Sequence, residues 1–292
     1  MTRPMTNRQP GLHIDAALQA SQHNTGLPLS ELRILMSHVT GLNRVGLITH
    51  NTMMLSADQF SQFESLVKRR AQGEPVAYLT GVREFFSREF MVTPDVLIPR
   101  PETEELVEKA LQWLEKRSRE NLLTKVLDMG CGSGAIGLTL ALENPILEVT
   151  LSDVSEAALQ VAQANAKKLA AKNVQCVHSN LFEAFAPEGQ PQQFDLIVSN
   201  PPYIASGDEH LKQGDLRFEP LSALTDHQDG LFFYRQLAQH AAQHLRPTGA
   251  VLMEHGYTQQ GDVLALFRQA GFAAVEGFTD LAGQPRMVLA LQ

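Results

Sequence analysis

Asn200-Pro201-Pro202-Tyr203 is the stretch of this sequence best suited to chemistry. It follows an apolar run, Phe194 to Ser199, that reads as a buried strand ending at the asparagine. An Asn-Pro step past a strand end is a turn signal. Proline holds the residue before it extended and donates no hydrogen bond of its own. Asn200 is therefore held stiffly with its amide oxygen free. The Pro201 carbonyl can point the same way, Pro202 stiffens the turn, and Tyr203 adds a flat wall. Such a group can receive a planar nitrogen bearing two hydrogens, a carboxamide or an exocyclic base amine. Taken alone, the tetrapeptide also reads as a proline-rich surface turn; the upstream residues decide against that.

Asp128-Met129-Gly130-Cys131-Gly132-Ser133-Gly134 follows a short strand, Lys125 to Leu127, and opens an apolar helix, Ala135 to Leu142. Glycines in such a loop allow a tight turn and close approach of backbone to a ligand, and the helix start offers unpaired N–H groups. A dinucleotide fingerprint would look similar. Against it stands Asp128, whose carboxylate would repel a pyrophosphate but attract a cationic amino group. A second strand, Leu147 to Asp153, carries an acid at its tip. Asp153 lies about twenty residues beyond the loop, where ribose hydroxyls are bound in folds of this kind. A third strand, Val174 to His178, leads into Ser179-Asn180-Leu181-Phe182, whose position suits contact with a base.

The elements that must position these residues alternate along the chain. Strands at 125–127, 147–153, 174–178 and 194–199 are separated by helical segments at 135–142 and 156–169, the second with Ser155 as N-cap. Alternation of this kind predicts a parallel α/β sheet. Residues 273–278 and 286–291 read as an antiparallel hairpin closing it. The chain divides near residue 75. Before it, Leu12–His23, Pro28–Thr40 and Ala57–Gln72 have helical periodicity, with Leu32, Leu35, Met36 and Val39 on one face of the second. Ser56 and Gln59 form a capping box at the start of the third, ahead of Phe60, Phe63, Leu66 and Val67. Residues 76–98 read as a strand hairpin bridging the two parts, and Pro101 as a helix-start proline.

The order D-x-G-x-G-x-G, strand-end acid, N-P-P-Y resembles the S-adenosylmethionine-dependent methyltransferases of the seven-stranded type. More of the chain narrows the likeness. Pro75 to Gly81, Phe85, Phe90, Ile98-Pro99-Arg100-Pro101-Glu102-Thr103-Glu104, Asp215 to Leu224, Gly230 and Glu254-His255-Gly256 resemble the bacterial peptide-chain release factor glutamine methyltransferases, the HemK/PrmC type of protein-(glutamine-N5) methyltransferase. The likeness runs from about Leu27 to the C-terminus. It implies an α/β fold: a seven-stranded, mostly parallel, Rossmann-like sheet with a small N-terminal helical bundle and a linking β-hairpin. The boundaries expected are a helical substrate-recognition domain over 1–74, a hairpin linker over 75–100 and the methyltransferase domain over 101–292.

The implied reaction is methyl transfer from S-adenosyl-L-methionine to the amide nitrogen of the glutamine in the Gly-Gly-Gln loop of class 1 release factors, modulating translation termination. Asp128, Gly130, Cys131, Gly132, Ser133, Gly134, Asp153, Asn180, Leu181, Phe182 and Asn200 are then the cofactor-binding residues. Asn200, Pro201, Pro202 and Tyr203 serve catalysis and hold the acceptor. The family usually has an aspartate where this chain has Asn180, which keeps a carbonyl oxygen for the adenine amine but loses the charge. Alternatives are a ribosomal-protein glutamine, an exocyclic amine of DNA or RNA, and a non-catalytic binding module. Labelled methyl transfer to nucleic acid would identify the second of these; absent cofactor binding would identify the third.

Composition agrees. At 292 residues the chain is long enough for two domains, and 43% hydrophobic content is that of an ordinary folded protein. Net charge is −8, from 24 basic and 32 acidic residues, a poor footprint for broad contact with nucleic acid. Lys68-Arg69-Arg70 and Lys116-Arg117-Ser118-Arg119 read as solvated helix ends. No run reaches the length of a membrane span, and Met1 to Pro10 lacks the apolar core of a signal peptide, so a cytoplasmic protein is expected. A monomer is expected as well, though no residue pattern specifies it. Two cysteines make no disulfide framework, Cys131 reads as a small filler, and no Cys/His spacing suggests a metal.

Overall fold

The computed structural model describes residues 12–117, 124–186 and 189–292. Contacts divide the chain into two units, Met1–Gly81 and Val82–Gln292.

The first unit is helical: α1 (Ile14–Thr25), α2 (Leu29–Thr40), α3 (Arg44–Thr49), α4 (Ala57–Ala71) and α5 (Val76–Thr80). The apolar positions of α2 and α4 that recur at helical spacing form its core, where Leu32, Leu35, Met36 and Phe63 are fully buried. The Ser56–Gln59 capping box forms at the start of α4. At its end, two of the three cations are paired: Arg70 reaches Glu31 on α2 at 2.6 Å, and Arg69 pairs with Glu74. They are therefore not simply solvated. The Ser118-Arg119 end of the other basic cluster lies outside the described residues. Two short helices escape periodicity. Asn43 caps α3, which is too short to show a repeating face. Residues 76–80, expected as strand, are helical, because Pro75 opens the turn and Gly81 in the left-handed region closes it.

The second unit opens with a hairpin, β1 (Val82–Phe85) and β2 (Arg88–Met91), turning at Phe86 and Ser87. Both turn residues have positive φ, 50° and 58°, which suits the twist of a two-residue turn. After α6 (Glu102–Arg117) come β3 (Lys125–Met129), α7 (Ala135–Glu143), β4 (Glu148–Asp153), α8 (Glu156–Lys168), β5 (Val174–His178) and β6 (Phe194–Ser199). Then follow α9 (Leu221–Leu224), α10 (Phe232–His240), β7 (Leu245–Glu254), α11 (Gln260–Gln269), β8 (Ala274–Thr279) and β9 (Pro285–Leu291). Seven strands form one sheet in the order β5-β4-β3-β6-β7-β9-β8. Pairing is parallel from β5 to β7, and β9 runs antiparallel between β7 and β8.

Period-two alternation sorts the strand side chains onto two faces. Val126, Leu196 and Leu252 pack under α6, α7 and α8. Leu127, Ile197 and Val251 pack under α10 and α11. Every residue of β6 is buried, as a central parallel strand covered on both faces requires. Among the described residues no helix is long and apolar enough to cross a membrane.

The hairpin, expected as a linker between the two parts, buries Phe85 and Phe90 in the core of the sheet unit and is also held there by a fully buried polar side chain. Asn165 on α8 accepts from the Met91 N–H at 2.7 Å. Its amide donates to the carbonyls of Met91 and Ser133, both at 2.9 Å. One residue thus joins β2 to the loop after β3. Asn165→Ala is expected to strand these buried groups and lower stability by about 2–3 kcal/mol, read as a shifted midpoint in urea unfolding.

Candidate active site

The strand order reverses between β3 and β6: β4 and β5 lie to one side, β7, β9 and β8 to the other. A cleft opens at the carboxyl ends of the strands at that point, where such sheets bind ligands. It is lined from the tips of β3 (Met129 to Ser133), β4 (Asp153 to Ser155), β5 (Ser179 to Leu181) and β6 (Ser199 to Pro202). Four segments distant in sequence are thus brought to one cavity.

In the glycine loop, Gly130, Cys131, Gly132 and Ser133 line the cleft, while Gly134 serves as N-cap of α7. Gly132 has φ 53°, and a Cβ there would meet no atom within 4 Å. A side chain at 132 would therefore occupy the cleft, so the loop forms a cradle that suits close approach of a ligand to backbone. Asp153 fixes the cradle. One carboxylate oxygen accepts from Gly132 N–H at 2.9 Å, the other from Ser155 N–H at 2.9 Å. The carboxylate itself lines the cleft and, with about four acceptor sites, can take further donors. Burial raises the Asp153 pKa, against the pull of these N–H donors. Burial pushes the Cys131 thiol well up, which fits a filler rather than a nucleophile.

Asp128 departs from the expectation. It is fully buried and does not face the cleft. One of its oxygens accepts from Gly137 N–H in the first turn of α7 at 2.8 Å, which ties the helix to β3. Burial pushes its carboxyl up to about 7. Strand alternation is the reason: the side chain at 128 turns under α7, and the backbone beyond Met129 turns to the cleft.

At the β5 tip, Asn180 and Leu181 line the cleft, Leu181 with φ 52°. The Asn180 amide donates to Glu183 at 2.9 Å, so its carbonyl oxygen is the end left for a ligand. Phe182 corrects the expectation too. Its ring stacks on His244, centroids 4.5 Å apart, and joins the core beneath α10. Burying an aromatic ring is worth more than exposing it at a cleft edge.

Asn200, Pro201 and Pro202 line the cleft beside this loop. The Asn200 amide donates to Thr103 Oγ1 at 3.2 Å, and Thr103 donates to Glu254 Oε2 at 2.7 Å. No described residue donates to Asn200 Oδ1 or to the Pro201 carbonyl. Both are acceptors at one wall of the cleft. Tyr203, expected as a wall, packs instead against the core under α10. Its carbonyl accepts from Gln259 at 2.9 Å, which draws the chain away from the cleft. Gly230 permits this: a Cβ there would stand 2.4 Å from that carbonyl oxygen. Burial, then the nearby Glu254, push the Tyr203 phenol up to about 12.

Sequence reasoning missed Thr103 and Arg100 as cleft residues. The signal was present in Ile98-Pro99-Arg100-Pro101-Glu102-Thr103-Glu104, a polar cluster at a helix start, with nothing local to say what it faces. Arg100 pairs with the buried Glu219, which also accepts from Ile98 N–H at 3.0 Å. That pair holds the 215–224 segment against the residues before α6.

This chain matches a family model described as the PrmC N-terminal domain over residues 13–81 and one described as the methyltransferase small domain over 104–215. It is 48% identical over 262 residues to a release factor glutamine methyltransferase of Bordetella pertussis, covering 90% of this chain and 94% of that protein. A protein of the same name from Neisseria gonorrhoeae is 46% identical over 263 residues, covering 90% and 93%. Among solved structures, a methyltransferase from Pyrococcus furiosus shares the fold at TM-score 0.50 and 19% identity, over 77% of this chain and 95% of that one.

Proposed function

The chain belongs to the release factor glutamine methyltransferases, and from that premise we propose that it transfers a methyl group from S-adenosyl-L-methionine to a glutamine side-chain nitrogen in class 1 release factors. The target is the glutamine of the Gly-Gly-Gln loop. One observation carries the reading: a backbone cradle and an amide receptor, Asn200 with its oxygen unpartnered among the described residues, share one cleft.

The residues present suit the cofactor. Gly130, Gly132 and Ser133 would hold its amino-acid part, Asp153 its ribose, and Asn180 with Leu181 its adenine. When bound, it supplies an electrophilic methyl group on a positively charged sulfur. The chain's own residues do the rest. A glutamine nitrogen is a weak nucleophile because its lone pair is delocalised into the carbonyl. Asn200 Oδ1 and the Pro201 carbonyl accept its two N–H bonds and aim the nitrogen into the cleft. Fixing that direction removes most of the orientational cost of reaction. As positive charge develops on the nitrogen, both acceptors stabilise it more than they do the neutral amide. Proton loss to water completes the exchange. The helical unit that ends at Gly81 grips the release factor, and the β1–β2 hairpin opens the methyltransferase unit that follows it.

Incubation with S-adenosylmethionine and purified release factors, then peptide mass mapping, should find one methyl group on that glutamine. Methylation confined to a ribosomal protein would overturn the substrate. Asn200→Ala should lower turnover about a hundredfold or more while calorimetric cofactor affinity stays near wild type.

The cofactor assignment is checked by binding alone. Asp153→Ala removes charge-assisted ribose bonds worth about 1.5–3 kcal/mol each and frees the Gly132 N–H. Gly132→Val should block the cradle. Calorimetry with S-adenosylhomocysteine reads both losses, and unchanged affinity in the folded variants would refute the site.

At position 180 a gain from charge is opposed by Glu183, whose carboxylate would face another across the contact now made by the amide. Asn180→Asp should therefore bind S-adenosylhomocysteine no tighter than wild type. The same change combined with Glu183→Gln should bind tighter. Equal binding by all three proteins would remove Asn180 from the site.

A further inference from the structure

Asn200 can serve an acceptor amide only if its oxygen, not its NH₂ group, faces the cleft. The two ends of a carboxamide are nearly the same size, so shape does not select between them. Hydrogen-bond polarity does. Thr103 bonds both partners, at 3.2 Å from the Asn200 amide nitrogen and 2.7 Å from the Glu254 carboxylate, and the Asn200 amide also reaches that carboxylate directly, a contact in which it too can only donate to the ionised form. Thr103 and Glu254 are both buried, Glu254 with 2% exposure. An ionised carboxylate has no proton to give. Thr103 must then donate to it, and the remaining lone pairs of its hydroxyl accept from the Asn200 amide. A protonated carboxyl removes this rule. It can donate to Thr103, Thr103 can donate to Asn200 Oδ1, and the amide can turn its NH₂ group to the cleft.

We propose that Thr103 and Glu254 are positioning residues that set the polarity of Asn200: ionised Glu254 turns the asparagine oxygen to the acceptor nitrogen, and protonated Glu254 releases it. This rests on the reading of Asn200 as the receptor of the acceptor amide. The surroundings keep Glu254 near the balance point. Burial, first, raises its pKa to about 7, while the Thr103 bond, Arg286 on β9 and Asn200 itself pull it down and Glu102 at the start of α6 raises it. Tyr203 and Tyr234 also face it, and the Tyr234 hydroxyl donates to its main-chain oxygen at 2.9 Å. Arg286 is itself shared with Asp280, 3.5 Å away. His255, next in the chain, bonds Gly256 and is held below its ordinary value by burial, so it stays neutral here.

The sign follows. Above the Glu254 pKa the group is charged and the relay is locked in the productive sense; below it the lock is lost. In the wild type, kcat with a release factor should fall on the acid side with an apparent pKa near 7. Glu254→Gln should lose that limb and run about tenfold or more below the wild-type plateau at every pH. KM for the release factor should change little. Thr103→Ser should keep the wild-type profile, and Thr103→Val, which leaves only the direct Asn200–Glu254 contact, should lie between wild type and Glu254→Gln. A binding readout runs beside activity. Calorimetry should find that a Gly-Gly-Gln peptide loses affinity relative to its Gly-Gly-Glu analogue as the wild type is acidified, but not in Glu254→Gln. Asp128 also has a carboxyl near 7. An acid limb that survives in Glu254→Gln belongs there and overturns the proposal. So does a Glu254→Gln turnover within about twofold of wild type. If Glu254→Gln does not fold, the two Thr103 variants decide alone, and a normal profile in Thr103→Val overturns it. Failure of the Asn200→Ala prediction would instead remove the underlying reading of the site.

Discussion

A parallel sheet whose strand order reverses at its centre must leave a gap where the two outgoing connections part. Here β3 and β6 are hydrogen-bonded neighbours, yet the chain leaves β3 toward β4 on one side and β6 toward β7 on the other. The gap lies at their carboxyl ends, and the glycine loop, the Asp153 tip and Asn200 line it. The central pair earns its rigidity from burial on both faces: β6 is buried throughout, and four of the five residues of β3 are. Loops leaving such strands are aimed by the strands, not by their own composition.

The loops are then held by carboxylates that accept backbone N–H bonds. Asp153 ties Gly132 and Ser155, Asp128 ties Gly137, and Glu219 ties Ile98. Further out, Asp226 gathers the N–H groups of Gln228, Gly230 and Phe232. Bonds to a charged acceptor are stronger than neutral ones, and each closes a turn with no regular partner. The cost is that several acids stand in poor contact with water. Burial raises Asp128, Asp153 and Glu254 together. Only Asp153 of these three lines the cleft; Asp128 and Glu254 act from behind it, through α7 and Thr103.

Much of this was legible from residue types. Alternating apolar runs with capping signals gave the parallel sheet, and the terminal hairpin appears as β8 and β9. The glycine loop, the Asp153 tip, the Asn180-Leu181 tip and Asn200-Pro201-Pro202 do meet in one cleft. Local sequence determined them because strand ends, glycines and prolines act over a few residues. What local patterns did not carry is which way a side chain turns. Asp128 faces α7, Phe182 lies against His244, and Tyr203 packs into the core, because each is governed by a neighbour remote in sequence.

The same reason explains the residues that were overlooked. Thr103 meets Asn200 across 97 positions and Glu254 across 151, and Arg100 meets Glu219 across 119. Sequence alone determined the fold class, the glycine loop and the Asn200-Pro201-Pro202 turn, since each is written in short runs of residues. Tertiary structure decided what the Asn200 side chain bonds to. That depends on a hydroxyl and a carboxylate from two other elements, and hydrogen-bond polarity exists only once the three are in contact.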